Sequence, residues 1–212
     1  VHLAAAQRDT VRRVLVLGGA AQGLVAQALR LGRVAVDAVE LDRDMVALVT
    51  PHLPAAERAA LADPRVRLVF ADPRRFLARP GRWDLVLSGL PEPSSGRTNR
   101  FYTREFFAAC AARLEPGGVL ALRLRGAENL WTPAVTRRAA GVHRALREVF
   151  PAVVVLPGAT NLFLASPAPL PAGADAPAAR LAARLPGARI ATPAYARYLY
   201  TNDRFAETAR RL

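Results

Sequence analysis

Short apolar runs alternate with helical segments along the first 166 residues. Five of these runs have the length of a strand, and each gap between them can hold a helix, which predicts a parallel sheet covered by helices on both faces. Two further runs are joined only by the turn Pro157-Gly158, so the last strand is expected to run antiparallel. The predicted strands are Val14–Leu17, Val34–Leu41, Val66–Phe70, Asp84–Ser88, Val119–Leu124, Ala152–Leu156 and Asn161–Ser166. The sequence therefore predicts an α/β fold with a mostly parallel, seven-stranded sheet.

Helical periodicity and capping residues place the helices between these strands. The predicted helices are Leu24–Leu31, Asp44–Thr50, Ala55–Ala62, Pro73–Leu77, a helix from the cap Thr103 to about Leu114, Pro133–Val149 and Pro177–Leu185. A turn is expected at residues 115–118, where Pro and two Gly follow one another. Residues 1–166 are predicted to form one domain, residues 167–176 a linker rich in Pro and Ala, and residues 177–212 a helical tail packed on the same domain.

The chain has a net charge of +13, and all 30 of its basic residues are arginine. Such a charge is often a sign of nucleic-acid binding. Here the arginines are scattered rather than gathered into a run, no nucleic-acid-binding motif is present, and a high-GC genome gives the same bias. We therefore do not expect a nucleic-acid partner. An anionic membrane face or partner and simple solvation of the surface remain alternatives.

Apolar runs and cysteine content limit the location of the chain. No run approaches the roughly 18–20 residues of a membrane span, and no signal peptide is visible. The single cysteine, Cys110, excludes a disulfide within the chain and favours a reducing compartment, with the thiol buried in a helix. We expect a cytoplasmic domain, either alone or as the soluble part of an inner-membrane protein with more chain upstream of Val1. Its oligomeric state, for instance a dimer, is left open.

Glycines and acids follow the first three strands in the order that a nucleotide-binding unit requires. Gly18, Gly19 and Gly23 lie between the first strand and its helix, where glycine permits a tight turn and close approach of a ligand. Glu40 ends the second strand and could accept hydrogen bonds from ribose hydroxyls. Asp72 follows the third strand and could accept from an adenine amino group. Together they predict a nucleoside site.

Other interpretations of these residues remain open. Ala20 occupies the middle glycine position of G-x-G-x-x-G, which disfavours a dinucleotide more than an adenosine-only ligand, since no pyrophosphate has to approach the backbone. Glu40 could be a surface acid at a strand end. Asp72 could simply cap the helix that begins at Pro73, and it could do both jobs.

A series of motifs resembles the spermidine synthase family of polyamine aminopropyltransferases, and most closely the spermidine-synthase-like domains of larger bacterial membrane proteins. In chain order the motifs are VRRVLVLGGAAQGLV, VDAVELD, VRLVFADPRRFL, WDLVLSGLPEP, FYTREFF and LEPGGVLAL, and they span residues 1–166. The resemblance implies a Rossmann-like fold of the S-adenosylmethionine-dependent methyltransferase type. It also implies transfer of an aminopropyl group from decarboxylated S-adenosylmethionine to a polyamine, with release of methylthioadenosine. Gly18, Gly19 and Gly23 would form the cofactor loop, Glu40 would bind the ribose and Asp72 the adenine amine.

Two carboxylates of that family are missing from its matching positions. The acid in the glycine loop is replaced by Ala21, and the first acid after the fourth strand is replaced by Gly89. A second acid after that strand matches Glu92, and the segment between the last two strands is only a short turn. Aminopropyl transfer needs a carboxylate to accept the proton of the attacking amine or to hold the amine in line. The resemblance therefore implies a site with a non-standard acceptor.

The remaining acid and its neighbours supply the candidate catalytic and pocket residues. Glu92 is the candidate base, although it could be a solvated loop residue, and Tyr102 is a second catalytic candidate. Ser88, Gly89 and Asn99 are expected to line the substrate pocket. Tyr102 and Asn99 could instead belong to a structural contact between a helix and the sheet. The spacing of the three histidines fits no metal site, so no metal is expected.

Three functions remain compatible with these residues. The first is an aminopropyltransferase-like enzyme that uses decarboxylated S-adenosylmethionine, S-adenosylmethionine or a related thioether nucleoside with a non-standard acceptor. The second is a catalytically inactive module that binds the nucleoside in a larger membrane protein, which Ala21 and Gly89 favour. The third is a class I methyltransferase, which FYTREFF and LEPGG disfavour.

Overall fold

The computed structural model describes residues 1–126 and 131–212. Its seven strands are β1 (Arg13–Leu17), β2 (Ala35–Glu40), β3 (Val66–Phe70), β4 (Trp83–Ser88), β5 (Leu114–Arg125), β6 (Ala152–Leu156) and β7 (Thr160–Ser166). They form one sheet in the order β3-β2-β1-β4-β5-β7-β6. The first five strands are parallel, and β7 runs antiparallel to both β5 and β6. The predicted fold class, a mostly parallel sheet with an antiparallel last strand, is confirmed.

Eleven α-helices accompany the sheet in the described part of the chain. They are α1 (His2–Ala5), α2 (Leu24–Leu29), α3 (Arg43–Val49), α4 (Ala55–Leu61), α5 (Pro73–Leu77), α6 (Gly96–Asn99), α7 (Arg104–Ala111), α8 (Pro133–Arg147), α9 (Asp175–Arg184), α10 (Pro193–Thr201) and α11 (Asp203–Arg211). None of these helices has the length and apolar character needed to cross a bilayer. Attachment to a membrane through upstream chain stays a prediction.

Two short helices, α1 and α6, were not expected from the sequence. The α6 helix forms because Ser95 and Thr98 make a capping box, in which each side chain bonds to the backbone amide of the other. Local side-chain bonding thus holds these residues in one turn of helix. The predicted cap of α7 is confirmed, since the Thr103 hydroxyl accepts from the amide of Phe106 at 3.4 Å.

The start of β5 differs from the prediction. This strand begins at Leu114, and the expected turn at residues 115–118 lies within it. Trp83 pairs with Leu114, whereas Leu85 pairs with Val119, so the longer β5 side bulges. Gly117 has a φ of 68°, which favours glycine. The two glycines were therefore wrongly assigned to a turn, and they serve a bulge that keeps β5 in the sheet.

The two faces of the sheet carry different cores. One face packs large aromatic side chains beneath α5, α7 and α8, and its fully buried members include Trp83, Phe106, Phe107, Phe150 and Phe163. The opposite face packs smaller aliphatic side chains of β1, β2 and β4 beneath α2 and α4. Cys110 is buried on the aromatic face, where burial raises the pKa of its thiol. The thiol is therefore a core residue.

The C-terminal helices pack on the beginning of the chain. Ala178 and Leu181 of α9 and Ala196 of α10 form a small buried cluster with Ala6. The guanidinium of Arg184 donates to the backbone carbonyls of Ala5, at the end of α1, and of Arg8 and Asp9 after it. The predicted division of the chain at residue 166 stays a prediction.

Candidate functional site

A cleft of about 1030 Å³ opens at the carboxyl ends of the parallel strands. In folds of this kind ligands bind at that edge, where loops after successive strands meet. The cleft is lined by Gly18, Gly19, Ala21, Gln22, Val39, Glu40, Leu41, Asp42, Met45, Val49, Leu53, Pro73, Ser88, Gly89, Leu90, Pro91, Glu92, Arg97, Thr98, Arg100, Phe101, Arg123, Arg125 and Thr160. Five of the predicted site residues are among them, namely Gly18, Gly19, Glu40, Ser88 and Gly89, and so is the candidate base Glu92.

The glycine turn after β1 forms one wall of the cleft. Gly18 and Gly19 have φ values of 69° and 74°, a region that only glycine enters readily. The Gly18 amide donates to the carbonyl of Val39 at 2.8 Å, which ties the turn to the end of β2. Gly23 is not among the lining residues. It ends the single 3₁₀ turn of residues 20–22 with a φ of 79° and starts α2.

Glu40 fixes the glycine turn from the neighbouring strand. Its carboxylate is 6% exposed and accepts from the amide of Ala20 at 2.6 Å. Burial raises the pKa of Glu40 above its ordinary value of 4.5, and the amide hydrogen bonds from Ala20 and Gly19 oppose that shift. A buried carboxylate in the cleft wall at the end of β2 can accept from the hydroxyls of a bound ligand.

Asp72 lies beside the cleft and has two partners. One oxygen accepts from the amide of Arg74 at 2.8 Å and caps α5, and the other pairs with the guanidinium of Arg100 at 2.8 Å. Its neighbour Pro73 lines the cleft, but Asp72 is not among the lining residues. The capping alternative weighed from the sequence is therefore present in the structure, and an adenine contact stays a prediction.

Gly89 lies in close contact with the backbone of the turn after β1. Its amide donates to the carbonyl of Leu17 at 2.9 Å. A Cβ atom at this position would lie 2.6 Å from the carbonyl oxygen of Gly18 and 2.7 Å from Cδ1 of Leu24. Real Cβ atoms do not make contacts this short, so the turn after β1 has closed over the position. Position 89 therefore leaves no room for a side chain.

Glu92 is engaged on both of its oxygens. One oxygen accepts from the amide of Arg125 on β5. The other bonds to the guanidinium of Arg138 on α8 at 3.2 Å. Glu92 thus borders the cleft as a bridge between the loop after β4, β5 and α8.

The other two candidates after β4 lie outside the cleft. Tyr102 is 5% exposed, belongs to the aromatic core and donates its hydroxyl hydrogen to the carbonyl of Leu90 at 3.1 Å. Burial raises the pKa of the Tyr102 phenol above 10, and the charge of Glu92 adds to the shift. Asn99 is exposed at the end of α6. The structure therefore brings neither side chain into the cleft.

Arginines that the sequence reasoning did not single out also line the cleft. They are Arg97 on α6, Arg100 just after α6, and Arg123 and Arg125 at the end of β5. One signal could have found the two on β5, because they break the apolar run of that strand at alternate positions. Within residues 1–126 and 131–212, no group of three or more His, Cys, Asp and Glu side chains is arranged to hold a metal ion.

Comparison with known proteins identifies the family. The model of the spermine/spermidine synthase domain matches residues 1–166. The chain belongs to the spermine/spermidine synthase family. Among curated relatives of this family, the polyamine aminopropyltransferase of Synechococcus sp. (strain JA-2-3B'a(2-13)) is 37% identical over 145 residues, which cover 67% of this chain and 45% of the relative. The polyamine aminopropyltransferase of Nitrosomonas europaea is 36% identical over 127 residues, covering 59% of this chain and 39% of the relative. The matched part thus spans less than half of either relative.

Solved structures of the family share the fold. A spermidine synthase in complex with the transition-state analogue AdoDATO has a TM-score of 0.79 at 16% identity, covering 98% of this chain and 71% of its own. The spermidine synthase of Thermotoga maritima has a TM-score of 0.76 at 18% identity, with the same coverage of 98% and 71%. Human methyltransferase-like protein 13 in complex with SAH has a TM-score of 0.61 at 18% identity, covering 79% and 80%. These likenesses establish a methyltransferase-type Rossmann fold.

Proposed function

We propose that the cleft binds an adenosyl thioether or sulfonium ligand, namely decarboxylated S-adenosylmethionine, S-adenosylmethionine or methylthioadenosine. The observation that carries the proposal is the buried carboxylate of Glu40, which borders the cleft and is held by the glycine turn. Such a carboxylate is suited to accept from both ribose hydroxyls, and the turn allows the nucleoside to approach the backbone. The family of the chain and a spermidine synthase solved with AdoDATO support this ligand class.

In the proposed reaction a nucleophile attacks the carbon beside the sulfonium of the donor. A new bond forms to that carbon while its bond to sulfur breaks, so methylthioadenosine leaves with the electron pair of the broken bond. With an amine as nucleophile, a base must remove one proton. Ala21 and Gly89 offer no carboxylate, and Glu92 is already paired with Arg138. We therefore propose transfer to an acceptor other than a polyamine.

A second candidate function is a module that binds the nucleoside without turnover. The pairing of Glu92 favours it, since the remaining carboxylate of the amine end is bonded to Arg138 and to the amide of Arg125. The two candidates share the nucleoside site and differ only in product formation. A class I methyltransferase with the same fold would release S-adenosylhomocysteine instead, and this product would identify it.

Calorimetric titration with methylthioadenosine, S-adenosylmethionine and decarboxylated S-adenosylmethionine tests the proposal. We expect a Kd in the micromolar range for methylthioadenosine, about −8 kcal/mol. Glu40→Ala should weaken binding about tenfold or more, because a buried charged acceptor is lost. Glu148→Ala, which removes an exposed acid just after α8 that is not among the lining residues, is the matched control.

Product analysis separates the functions. Release of methylthioadenosine from the decarboxylated donor, in the presence of a panel of acceptors, would establish the transferase. Binding without release supports the module, and S-adenosylhomocysteine as product indicates a methyltransferase. Absence of binding to all three nucleosides would overturn the proposed site.

A further inference from the structure

The cleft carries opposite charges at its two ends. Glu40 and Asp42 follow β2, whereas Arg123 and Arg125 end β5. Two strands, β1 and β4, lie between β2 and β5 in the sheet. Neighbouring strands are roughly 4.8 Å apart, so the acids and the arginines are separated by about 14 Å. That distance suits a ligand with a nucleoside at one end and an anionic group at the other.

Two other charges in the cleft lining are already compensated. Arg100 pairs with Asp72 at 2.8 Å and lies over the ring of Phe101. Glu92 pairs with Arg138 at 3.2 Å. Each of these ion pairs is neutral overall. The remaining arginines therefore determine the sign of the charge in this part of the cleft.

Arg97, Arg123 and Arg125 have no such partner in the described structure. Among residues 1–126 and 131–212, no carboxylate lies within 4 Å of their guanidinium groups. All three are exposed along the cleft wall. Thr160, which pairs with Arg125 across the strands, adds a hydroxyl to the same wall. Guanidinium groups bind carboxylates through two parallel hydrogen bonds, and they repel a polycation.

The register of the sheet places this charge beside the altered catalytic position. Ser88 of β4 pairs with Leu122 of β5, so the next residues along the two parallel strands are Gly89 and Arg123. The family places an acid where this chain has Gly89, and the adjacent strand of this chain supplies a cation. A cation therefore lies beside the position at which the resemblance implies an acid.

We propose that the end of the cleft formed by Arg123 and Arg125 binds the carboxylate of an aliphatic ligand. This inference rests on the proposed function, since it places the carboxylate beyond a nucleoside held at Glu40. The carboxylate has two sources. It is either the amino-acid tail of S-adenosylmethionine, which the decarboxylated donor lacks, or the carboxylate of a separate acceptor.

The experiment compares pairs of ligands in which one member has the carboxylate and the other lacks it. The first arm titrates the wild-type chain with S-adenosylmethionine and with decarboxylated S-adenosylmethionine. The second arm titrates the chain, saturated with methylthioadenosine, with 4-aminobutyrate and with putrescine, which have the same number of carbons. Both arms are repeated with Arg123→Ala, with Arg125→Ala and with Arg33→Ala. Arg33 is an exposed arginine just before the amino end of β2, whereas the cleft lies at the carboxyl ends of the strands. Its variant controls for net charge.

In the first arm, a tail carboxylate predicts that S-adenosylmethionine binds about tenfold more tightly than the decarboxylated form. In the second arm, a separate acceptor predicts that 4-aminobutyrate binds and putrescine does not. Either preference should disappear in Arg123→Ala and Arg125→Ala, persist in Arg33→Ala and weaken as salt is raised. Affinity for methylthioadenosine itself, which has no charge at this end, should stay unchanged in all variants and reports that they are folded.

Equal affinities in the first arm together with no binding of 4-aminobutyrate in the second would overturn the inference. Preference for putrescine, or a carboxylate preference that survives both cleft variants, would overturn it as well. Methylthioadenosine binding to the wild-type chain tests the proposed function separately. If it binds while neither carboxylate does, only the inference fails. If it does not bind, the proposed function fails, and 4-aminobutyrate binding that depends on Arg123 would still support the anionic site.

Discussion

At the scale of single residues, Gly89 lies in a close contact between the loops that follow β1 and β4. The loop after β1 approaches so closely that a Cβ at position 89 would overlap the carbonyl of Gly18. Replacing the glycine by an acid would therefore force the two loops apart before any catalytic benefit could appear.

Gly89→Ala should lower the free energy of unfolding by about 1–3 kcal/mol, because the added methyl group meets rigid backbone. Gly89→Asp should lower it at least as much and should leave the chain without polyamine transfer. Urea denaturation measures the loss. Gly96→Ala is the control, since a Cβ there meets nothing within 4 Å and alanine favours helix. Equal stabilities of Gly89→Ala and the wild-type chain would contradict the close contact.

Glu40 should make nucleoside binding sensitive to acid. Ribose hydroxyls bind the ionised carboxylate best, and burial raises the pKa of Glu40 above 4.5. Affinity for methylthioadenosine should therefore fall as the pH is lowered through this raised pKa and level off at higher pH. Titrations between about pH 4.5 and pH 8 measure the effect. Glu40→Gln should bind more weakly at neutral pH and lose the acid dependence, so an unchanged profile in that variant would assign the titration to another group.

At the scale of elements, β4 is anchored at its amino end by a single carboxylate. Asp84 is 9% exposed and accepts from the amides of Arg12 and Arg13 at 2.7 and 2.8 Å. It also pairs with Arg8 at 2.9 Å. These bonds fasten the segment between α1 and β1 to the central strand.

Asp84→Ala should lower the free energy of unfolding by about 3 kcal/mol, since two amides and a guanidinium lose their acceptor. Thermal or urea denaturation tests this, with Glu148→Ala as an exposed control expected to stay within about 0.5 kcal/mol of wild type. The nucleoside affinity of Asp84→Ala, measured well below its unfolding temperature, should be unchanged because the cleft lies at the other end of β4. A loss below 1 kcal/mol would mean that water replaces these bonds.

At the scale of the whole molecule, the last helices stabilise the beginning of the chain. Leu181, Leu199 and Tyr200 are all less than 10% exposed, and the Tyr200 hydroxyl lies 3.1 Å from the side-chain oxygen of Gln7. Burying each such side chain contributes about 2 kcal/mol, against a typical total stability of 5–15 kcal/mol. Residues 167–212 should thus contribute a large share of the free energy of unfolding.

A chain that ends at Ser166 should unfold at a much lower urea concentration than the full chain, or not fold at all. The decisive comparison is the denaturation midpoint of the two chains under the same conditions. Leu181→Ala in the full chain should give an intermediate loss of about 2–5 kcal/mol. A truncated chain with the midpoint of the full one would instead make residues 1–166 a domain that is stable alone.

Much of the fold could be predicted from the sequence because short apolar strands and helix caps are local signals. The glycine turn and Glu40 could be placed for the same reason, since each lies directly at the end of a strand. The partners of Glu92 could not, because Arg138 lies 46 residues away and the other donor is a backbone amide on β5. The arginines of the cleft could not be told apart from the others in the sequence, because all 30 basic residues are arginine. Packing around Gly89 depends on two loops whose separation no local pattern encodes.

The loop after β4 has a consequence for how a ligand enters. It is held at Gly89 by Leu17, at Leu90 by the hydroxyl of Tyr102 and at Glu92 by β5 and α8. Because these bonds join protein groups to one another, the wall is preorganised and little conformational entropy remains to be lost on binding. A visiting molecule must fit a rigid wall, and selectivity then depends on its shape and charge rather than on a loop that adapts to it.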